Sequence, residues 1–302
     1  MKLLVTGGAG FIGSNLVDEL VLLGHKVLVV DNLSGGKRKN VNPKAKFYFA
    51  DITNIKQIKP IFRGVDYVFH LAAMPRVQFS IEHPLESDMV NVRGTLNVLV
   101  ASVNAGVKKV IYSASSSAYG DQKLMPLKEN FLANPKSPYG RQKHIGELYC
   151  KTWSEVYGLP TVCLRYFNVY GHRQNHEGAY ALVIAKFIKQ KLSGQSMTIT
   201  GDGKQTRDFT NVKDVVRANI LAMRSEKVGR GEVINIGAGK NQSILRVAKL
   251  IGGPIKFVSA RFEPRHSLAD NKLAYKLLGW RPSINIEAGI AELIPDRHGK
   301  MV

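Results

Sequence analysis

The chain opens with a short apolar run, a glycine-rich turn and a helical pattern, and this order limits its possible folds more than any other feature. Residues 2–6 read KLLVT, and Gly7, Gly10 and Gly13 come next, before a stretch with helical spacing. Glycines placed between a strand and a helix let the backbone turn tightly and approach a pyrophosphate, which the helix N-terminus then stabilises. Glycine spacing alone is a weak signal, so the prediction of a dinucleotide-binding unit also depends on the residues after the turn.

A second apolar run, residues 26–30, supplies the next strand and ends in Asp31. An acid about 20 residues beyond the glycines can bind the ribose hydroxyls of an adenosine, and it repels the additional phosphate of NADP. The opening segment therefore predicts a βαβ unit that binds NAD.

Strand and helix patterns continue to alternate after this unit. Apolar runs at 47–49, 67–70 and 109–113 are interrupted by helical spacing, for example over 91–104. Such alternation predicts an α/β fold with a doubly wound parallel sheet and a ligand at the carboxyl ends of its strands. His70 stands at one of these strand ends, and we expect it to be a packed histidine rather than a catalyst.

Tyr139 and Lys143 are four residues apart and come directly after Pro138. Proline suits the first turn of a helix, and four residues make about one turn, so both side chains should lie on one helix face. A positive charge beside a phenol favours the phenolate, so the pair can form a general base that works near neutrality. The same spacing also arises by chance as a partly buried aromatic residue beside a solvated lysine.

Composition bounds the class of protein and its surroundings. With 302 residues, the chain can form two domains, or one large domain with a smaller annex. Its formal charge of +20 is spread along the sequence, which predicts attraction of small anions rather than specific nucleic-acid binding. Two cysteines without metal-ligand spacing indicate a reduced protein with no metal site, and no apolar run could span a bilayer. We expect a cytoplasmic protein.

Six segments in the same order resemble the extended short-chain dehydrogenase/reductase family, and within it the UDP-glucose 4-epimerase group. They are TGGAGFIGS at 6–14, DNLS at 31–34, SSSAYG at 115–120, YGRQK at 139–143, RYFN at 165–168 and GDGKQTRDF at 201–209. The resemblance covers most of the chain.

This resemblance implies that Ser115, Tyr139 and Lys143 are catalytic. Tyr139, as phenolate, would remove the O4 proton of a UDP-sugar while the C4 hydride passes to NAD, and Ser115 would hydrogen-bond the developing carbonyl. Lys143 would bind the nicotinamide ribose. The 4-keto sugar then turns over and takes the hydride back on its other face. The alternatives are a 4-epimerase of another nucleotide sugar, such as a UDP-uronic acid, and a non-catalytic NAD-binding or RNA-binding Rossmann protein.

The resemblance also implies which residues line the two ligand sites. The cofactor contacts are Gly7, Gly10, Phe11, Ile12, Gly13, Asp31, Asn32, Leu33, Ser34, Gly35, Asp51, Ile52, Leu71, Ala72, Ala73, Asn91, Ser113, Tyr139, Lys143 and Tyr166. The substrate contacts are Val77, Ser115, Asn168, Ile199, Arg207, Arg261 and Ser267.

The segment before Asp270 departs from the family pattern. Here Arg261 to Arg265 is one residue shorter than in relatives, which leaves either arginine as the diphosphate ligand, and Arg261 is favoured. Ser267 occupies a position that limits substitution at the sugar C2. Because serine is small, the site is expected to admit N-acetylated sugars as well as glucose and galactose.

Ser116 and Ser117 separate this chain from two related activities. Sugar-nucleotide 4,6-dehydratases carry an Asp-Glu pair at these positions, and decarboxylating relatives carry a glutamate at the second. Hydroxyl groups cannot replace two carboxyl groups in the elimination, so simple epimerisation is expected.

The regular alternation breaks after residue 168. We expect an NAD-binding Rossmann domain at 1–168 plus about 209–240, interleaved with a sugar-nucleotide-binding domain at 169–208 and 241–302. Helices near 88–104 and 139–157 carry apolar residues on more than one face. Related epimerases pair these two helices across a dyad, so a homodimer is expected.

Overall fold

A seven-stranded parallel sheet forms the centre of the structure, a computed structural model that describes residues 1–175, 182–259 and 265–294. The strands in chain order are β1 (Lys2–Thr6), β2 (Lys26–Asp31), β3 (Lys46–Phe49), β4 (Tyr67–His70), β5 (Lys109–Ser115), β6 (Thr161–Tyr166), β7 (Met197–Thr200), β8 (Thr206–Asp208), β9 (Arg230–Ile236), β10 (Asn241–Ser243) and β11 (Ile255–Val258). The central sheet has the order β3-β2-β1-β4-β5-β6-β9, and all its neighbouring strands run parallel. The predicted α/β fold is confirmed.

Helices cover both faces of this sheet, which is why its strands are almost continuously apolar. In chain order the helices are α1 (Phe11–Leu22), α2 (Ile55–Ile58), α3 (Val77–Glu82), α4 (Pro84–Asp88), α5 (Thr95–Asn104), α6 (Pro138–Tyr157), α7 (Val183–Leu192), α8 (Val212–Arg224), α9 (Ile244–Ile251), α10 (Lys272–Leu278) and α11 (Ile286–Ala291). Leu3 and Val5 of β1 join the hydrophobic cluster under α1, α8 and α10. Leu4 points the other way and joins the cluster under α2, α5 and α6.

The strand order reverses beside β1, where β2 lies on one side and β4 on the other. Loops leaving β1 and β4 diverge there and open a crevice at the carboxyl ends of the strands, the usual ligand position in such sheets. His70 ends β4 and is buried, with its ring nitrogens 2.8 Å from Thr6 Oγ1 and 3.0 Å from Thr95 Oγ1. The prediction of a packed histidine is confirmed.

A third hydrophobic cluster, separate from the main sheet, is built by later parts of the chain. It brings together α7, α9 and α11 with the parallel pair β7–β11, while β8 pairs antiparallel with β10. Between these elements the chain returns through α8 to β9, which joins the main sheet beside β6. The predicted domain limits agree with this course of the chain but remain a prediction.

Within the described ranges, no helix combines the length and the apolar character needed to cross a membrane.

Candidate active site

The glycine-rich turn after β1 brings three backbone segments into close contact. Gly7 has a φ of +72°, and a Cβ there would lie 2.6 Å from the backbone nitrogen of Ala72. A Cβ on Gly13 would lie 2.1 Å from the Gly7 carbonyl oxygen. Larger residues at either position would push α1 and the loop after β4 away from the turn.

The N-terminus of α1 is open to an anion. Gly10 caps this helix without a side-chain hydrogen bond, so the first-turn N–H groups, which have no acceptor inside a helix, are available to a ligand. A Cβ at Gly10 would meet only the Gly7 carbonyl oxygen, at 3.2 Å. The open space at Gly10 and the first-turn N–H donors of α1 therefore fit the pyrophosphate of a dinucleotide.

Asp31, at the end of β2, connects the glycine turn with the next turn along the chain. Its two carboxylate oxygens accept the N–H groups of Ala9, at 2.9 Å, and Leu33, at 2.8 Å. Burial raises the pKa of Asp31, although both hydrogen bonds act against this rise. Leu33 has a φ of +60°, so the backbone turns sharply beside this acid.

A second acid lies at the end of the neighbouring strand. Asp51 accepts hydrogen bonds from Asn32 Nδ2, at 2.8 Å, and from the N–H and hydroxyl of Thr53. Burial raises its pKa, but these hydrogen bonds outweigh the burial and leave the pKa below its usual value. Ile52 is buried and packs under Gly94, where a Cβ would lie 2.6 Å from the isoleucine Cδ1.

The loop after β4 carries Leu71, Ala72 and Ala73 and is held in place by Asn91. The Asn91 side chain accepts the Met74 N–H at 2.7 Å and donates to the Met74 carbonyl at 3.1 Å. Asn91 is buried, and it has a role within the chain whether or not it also contacts a cofactor.

Ser115, Tyr139 and Lys143 come together where β5 ends and α6 begins. The hydroxyl of Ser115 lies close enough to the phenol of Tyr139 to lower its pKa, and Ser115 Oγ donates to Ser117 Oγ at 3.1 Å. Lys143 is buried and donates to the Ser113 carbonyl at 2.8 Å. These side chains project from a strand end and a helix start, so they are held by regular backbone.

The pKa of the candidate base differs from the expectation based on spacing. Burial raises the pKa of Tyr139, and the nearby Ser115 hydroxyl only partly opposes this. Burial also lowers the pKa of Lys143 to about 8. The Lys143 ammonium is directed to a backbone carbonyl, and desolvation of both groups dominates.

Tyr166 lies beside this group, in register with Ser115 across the β5–β6 pair. Its hydroxyl donates to Asn219 Oδ1 at 2.9 Å. Two residues further, Asn168 adopts a φ of +32° and donates its amide to the Ser267 hydroxyl at 3.2 Å. Tyr166 and Asn168 thus connect the Ser115 group with the predicted substrate region.

The predicted substrate residues divide into those that the structure brings together and those that it does not. Arg207 donates to the carbonyl of Arg265 at 3.3 Å, next to Ser267. Val77 starts α3 and is half exposed, whereas Ile199 is fully buried in the third hydrophobic cluster. Arg261 lies outside the described residues.

Asp208 fixes the backbone around this region, a role that sequence reasoning missed. Its carboxylate accepts N–H groups from Ala238 at 2.6 Å, Gly239 at 3.0 Å and Ala269 at 2.9 Å. Burial raises its pKa to about 6, against the effect of these bonds. The donors come from two distant segments, so their meeting has no local sequence signal.

Glu147 and Arg165 form a second polar group that sequence reasoning missed. The carboxylate accepts two hydrogen bonds from the guanidinium, Nε at 2.8 Å and Nη2 at 2.7 Å, and both side chains are buried. The guanidinium also lies 4.4 Å from the centre of the Tyr119 ring. The sequence contains one indication of this role: Glu147 stands one helical turn after Lys143, so both side chains lie on the same face of the helix.

Among the described residues, no group of three or more histidine, cysteine, aspartate or glutamate side chains is placed to hold a metal ion.

A parallel Rossmann sheet, an uncapped helix N-terminus after a glycine turn, and a neighbouring serine, tyrosine and lysine define a dinucleotide-dependent enzyme of the short-chain dehydrogenase/reductase class. Residues 3–237 match the model of the NAD dependent epimerase/dehydratase family, and the chain belongs to this family. The predicted cofactor, NAD, and the predicted class of enzyme, an NAD-dependent epimerase, are confirmed at this level.

Individual relatives agree with this assignment. A putative UDP-glucose 4-epimerase of Methanocaldococcus jannaschii is 40% identical over 301 residues, which cover 97% of each chain. The crystal structure of the UDP-glucose 4-epimerase of Thermotoga maritima with UDP-glucose is 41% identical, with a TM-score of 0.92 over 96% of each chain. A UDP-N-acetylglucosamine 4-epimerase of Methanobrevibacter ruminantium, solved with UDP-N-acetylmuramic acid, is 40% identical, with a TM-score of 0.91 over 96% of this chain and 95% of that one.

Proposed function

We propose that this chain interconverts UDP-galactose and UDP-glucose by epimerisation at C4, and that it also accepts the corresponding N-acetylhexosamines. The observation that carries the proposal is the placement of the Ser115 hydroxyl beside the Tyr139 phenol, whose pKa it lowers, one helical turn from the buried Lys143. A phenol and a hydroxyl side by side can bind one sugar hydroxyl and move its proton.

In this proposal Tyr139 removes the O4 proton, and Ser115 donates a hydrogen bond to the oxygen as it becomes a carbonyl. NAD, when bound, supplies the hydride acceptor and a positive charge near the phenol, which favours the phenolate that burial disfavours. Lys143 holds its ammonium between the Ser113 carbonyl and the Tyr112 ring, 4.9 Å from the ring centre, where it can donate to a ribose hydroxyl.

The diphosphate of the substrate is assigned to the region around Asn168 and Arg207, with Arg261 or Arg265 as a further ligand. The uracil is assigned to the backbone near Ile199, because the side chain of that residue is buried. Arginine suits a diphosphate, since its planar fork donates two parallel hydrogen bonds.

Ser116 and Ser117 support epimerisation over elimination or decarboxylation. Both come directly after Ser115 in a short 3₁₀ turn that ends at Ala118, so they lie where a related enzyme would need a carboxyl group. A serine hydroxyl neither protonates a leaving hydroxyl nor accepts a carbon-bound proton near neutral pH.

Tolerance of N-acetyl groups rests on Ser267. Its hydroxyl is held by Asn168 and by the Asp208 N–H, the latter at 3.3 Å, so a small side chain is fixed at the proposed C2 gate. The similarity to the M. ruminantium enzyme agrees with this interpretation.

The decisive experiment uses the purified chain without added cofactor. We expect denatured protein to release NAD, and the native protein to convert UDP-galactose and UDP-N-acetylgalactosamine into mixtures with their C4 epimers, as measured by chromatography. Conversion of UDP-galacturonate alone would replace the proposal with a uronic-acid epimerase. Protein that carries no dinucleotide, takes none up and binds RNA at physiological salt would refute it.

A further inference from the structure

Glu147 and Arg165 occupy the space directly behind the proposed catalytic residues. Tyr139, Lys143 and Glu147 are spaced by four residues along α6, so they lie along one face of this helix. Arg165 stands on β6, in register with Ala114 of β5. Ala114 lies between Ser113, whose carbonyl accepts Lys143, and Ser115.

Arg165 contacts both halves of the proposed site. Through Glu147 it holds α6, which carries the tyrosine and the lysine. Through the Tyr119 ring it supports the turn after Ser115, because the Tyr119 N–H closes that turn on the Ser116 carbonyl at 3.1 Å. A guanidinium that binds in a fixed plane to both partners restricts how α6 can shift against β5.

The charges of the pair also bear on Lys143. The carboxylate of Glu147 acts to keep the lysine protonated, against the burial that lowers its pKa. Other titratable groups face Lys143 from the surrounding elements: Tyr112 from β5, Cys163 from β6, His70 from β4 and Cys150 from its own helix. The Glu147 carboxylate is paired with the buried Arg165, and its Oε2 also lies 3.0 Å from Nδ1 of His144.

We propose that Glu147 and Arg165 are positioning residues for epimerisation: their ion pair locks α6 onto the Ser115 strand, and the carboxylate balances the charge of the Lys143 ammonium. The inference rests on the proposed function for its catalytic part. A merely structural ion pair would change stability alone.

The first test measures the charge of Lys143 directly. Protein labelled at the lysine Cε carbons is titrated by NMR in its NAD-bound form, with the Lys143 resonance assigned from Lys143→Met. In Glu147→Gln we expect the Lys143 pKa to fall by about one unit, as for loss of an opposite charge nearby. The matched control is Glu155→Gln, which changes a solvent-exposed acid on the same helix that pairs with Lys151. Coincident Lys143 titrations in wild type and Glu147→Gln would overturn the charge effect.

The second test separates position from charge. Arg165→Lys keeps the positive charge but loses the paired hydrogen bonds to Glu147 and the planar contact with the Tyr119 ring. We expect kcat to fall about tenfold or more, since small misplacements of reacting groups are costly, while KM stays within about twofold and the Lys143 pKa stays close to wild type. An unchanged kcat would overturn the positioning role.

A third variant controls for misfolding caused by a buried charge that has lost its partner. In Glu147→Gln/Arg165→Gln both charges are absent, and thermal unfolding and bound NAD report whether the variant is folded. We expect low kcat with a Lys143 pKa nearer to wild type than in the single variant. Wild-type kcat in the folded double variant would contradict the proposal. If the wild type itself converts no UDP-sugar, the proposed function fails, whereas the NMR titration still decides the charge effect.

Discussion

The pKa values of the side chains near Ser115 are shifted more by burial than by interactions with neighbouring side chains. Burial raises the pKa of Tyr139 and lowers that of Lys143 to about 8, so in the chain alone both groups are moved towards their neutral forms. The sequence predicted that the two residues are neighbours, because one helical turn is a local property. It did not predict the direction of the tyrosine shift, because desolvation depends on β5 and on the loops that pack over it.

The proposed role of Tyr139 as base predicts a loss of turnover without loss of cofactor. We expect Tyr139→Phe to retain NAD and to epimerise UDP-galactose about 10²–10⁴-fold more slowly, the usual contribution of a positioned acid or base. Tyr149→Phe, on the same helix, should stay near wild type. Turnover by Tyr139→Phe within a few fold of wild type would refute the assigned base.

The burial of His70 predicts that the folded protein loses stability at acidic pH. Burial lowers its pKa from 6.5 to about 3, so between these values the unfolded chain binds more protons than the folded one, and stability falls as pH falls through this range. The loss from this residue is on the order of 5 kcal/mol when complete. Urea unfolding should show that His70→Gln loses less stability than wild type between pH 6.5 and 4. Parallel pH dependence of the two proteins would exclude the mechanism.

At the scale of elements, local sequence predicts where α6 begins but not which side chains α6 contacts on the neighbouring strand. Pro138 marked its first turn, and its end is explained by Gly158, which has a φ of +65°. The contact between Glu147 and Arg165 was missed because these residues are 18 positions apart, and only the pairing of β5 with β6 places them together. The same holds for Asp208, whose donors come from segments about 30 and 61 residues later.

The cap of α6 gives a prediction for the helix as a unit. The Ser137 hydroxyl accepts the Gly140 N–H at 3.1 Å, and Ser137→Ala should lower the free energy of unfolding by about 1 kcal/mol. Because Tyr139 lies in this first turn, kcat should fall as well. Ser243→Ala removes the equivalent cap of α9, at 3.1 Å from Arg246 N, and should cost similar stability with no change in kcat. Equal kcat effects in the two variants would show that the cap does not orient Tyr139.

On the scale of the whole molecule, one apolar stripe remains exposed beside the Rossmann sheet. Val77, Ile81, Leu85 and Met89 recur every four residues from α3 past the end of α4, and each is at least 43% exposed. Two further exposed apolar residues, Leu148 and Val156, lie on α6. The sequence placed the expected homodimer contact on helices near 88–104 and 139–157, whereas this stripe lies mainly on α3 and α4, just before the first of these helices. Apolar residues repeated on neighbouring helices suit a homodimer in which two copies bury the same surface.

Replacement of one leucine should separate the copies if this stripe is the interface. Leu85 is 81% exposed, so Leu85→Glu places no charge in the core, and we expect it to convert a dimer into a monomer by light scattering. Leu22→Glu is the matched control, because Leu22 is 79% exposed on α1, at the opposite face of the sheet. A wild-type monomer, or a dimer that survives Leu85→Glu, would contradict this interface.

The late strand β9 has a consequence for any attempt to divide the protein. This strand pairs with β6, but along the sequence it follows β7 and β8, which lie outside the central sheet. A fragment cut after residue 168 would lack both β9 and α8, so β6 would present an edge of unpaired backbone groups next to uncovered valines, the kind of surface that aggregates. The predicted NAD-binding and sugar-nucleotide-binding domains are therefore expected to be obtained together or not at all, and limited proteolysis should yield no lasting N-terminal fragment.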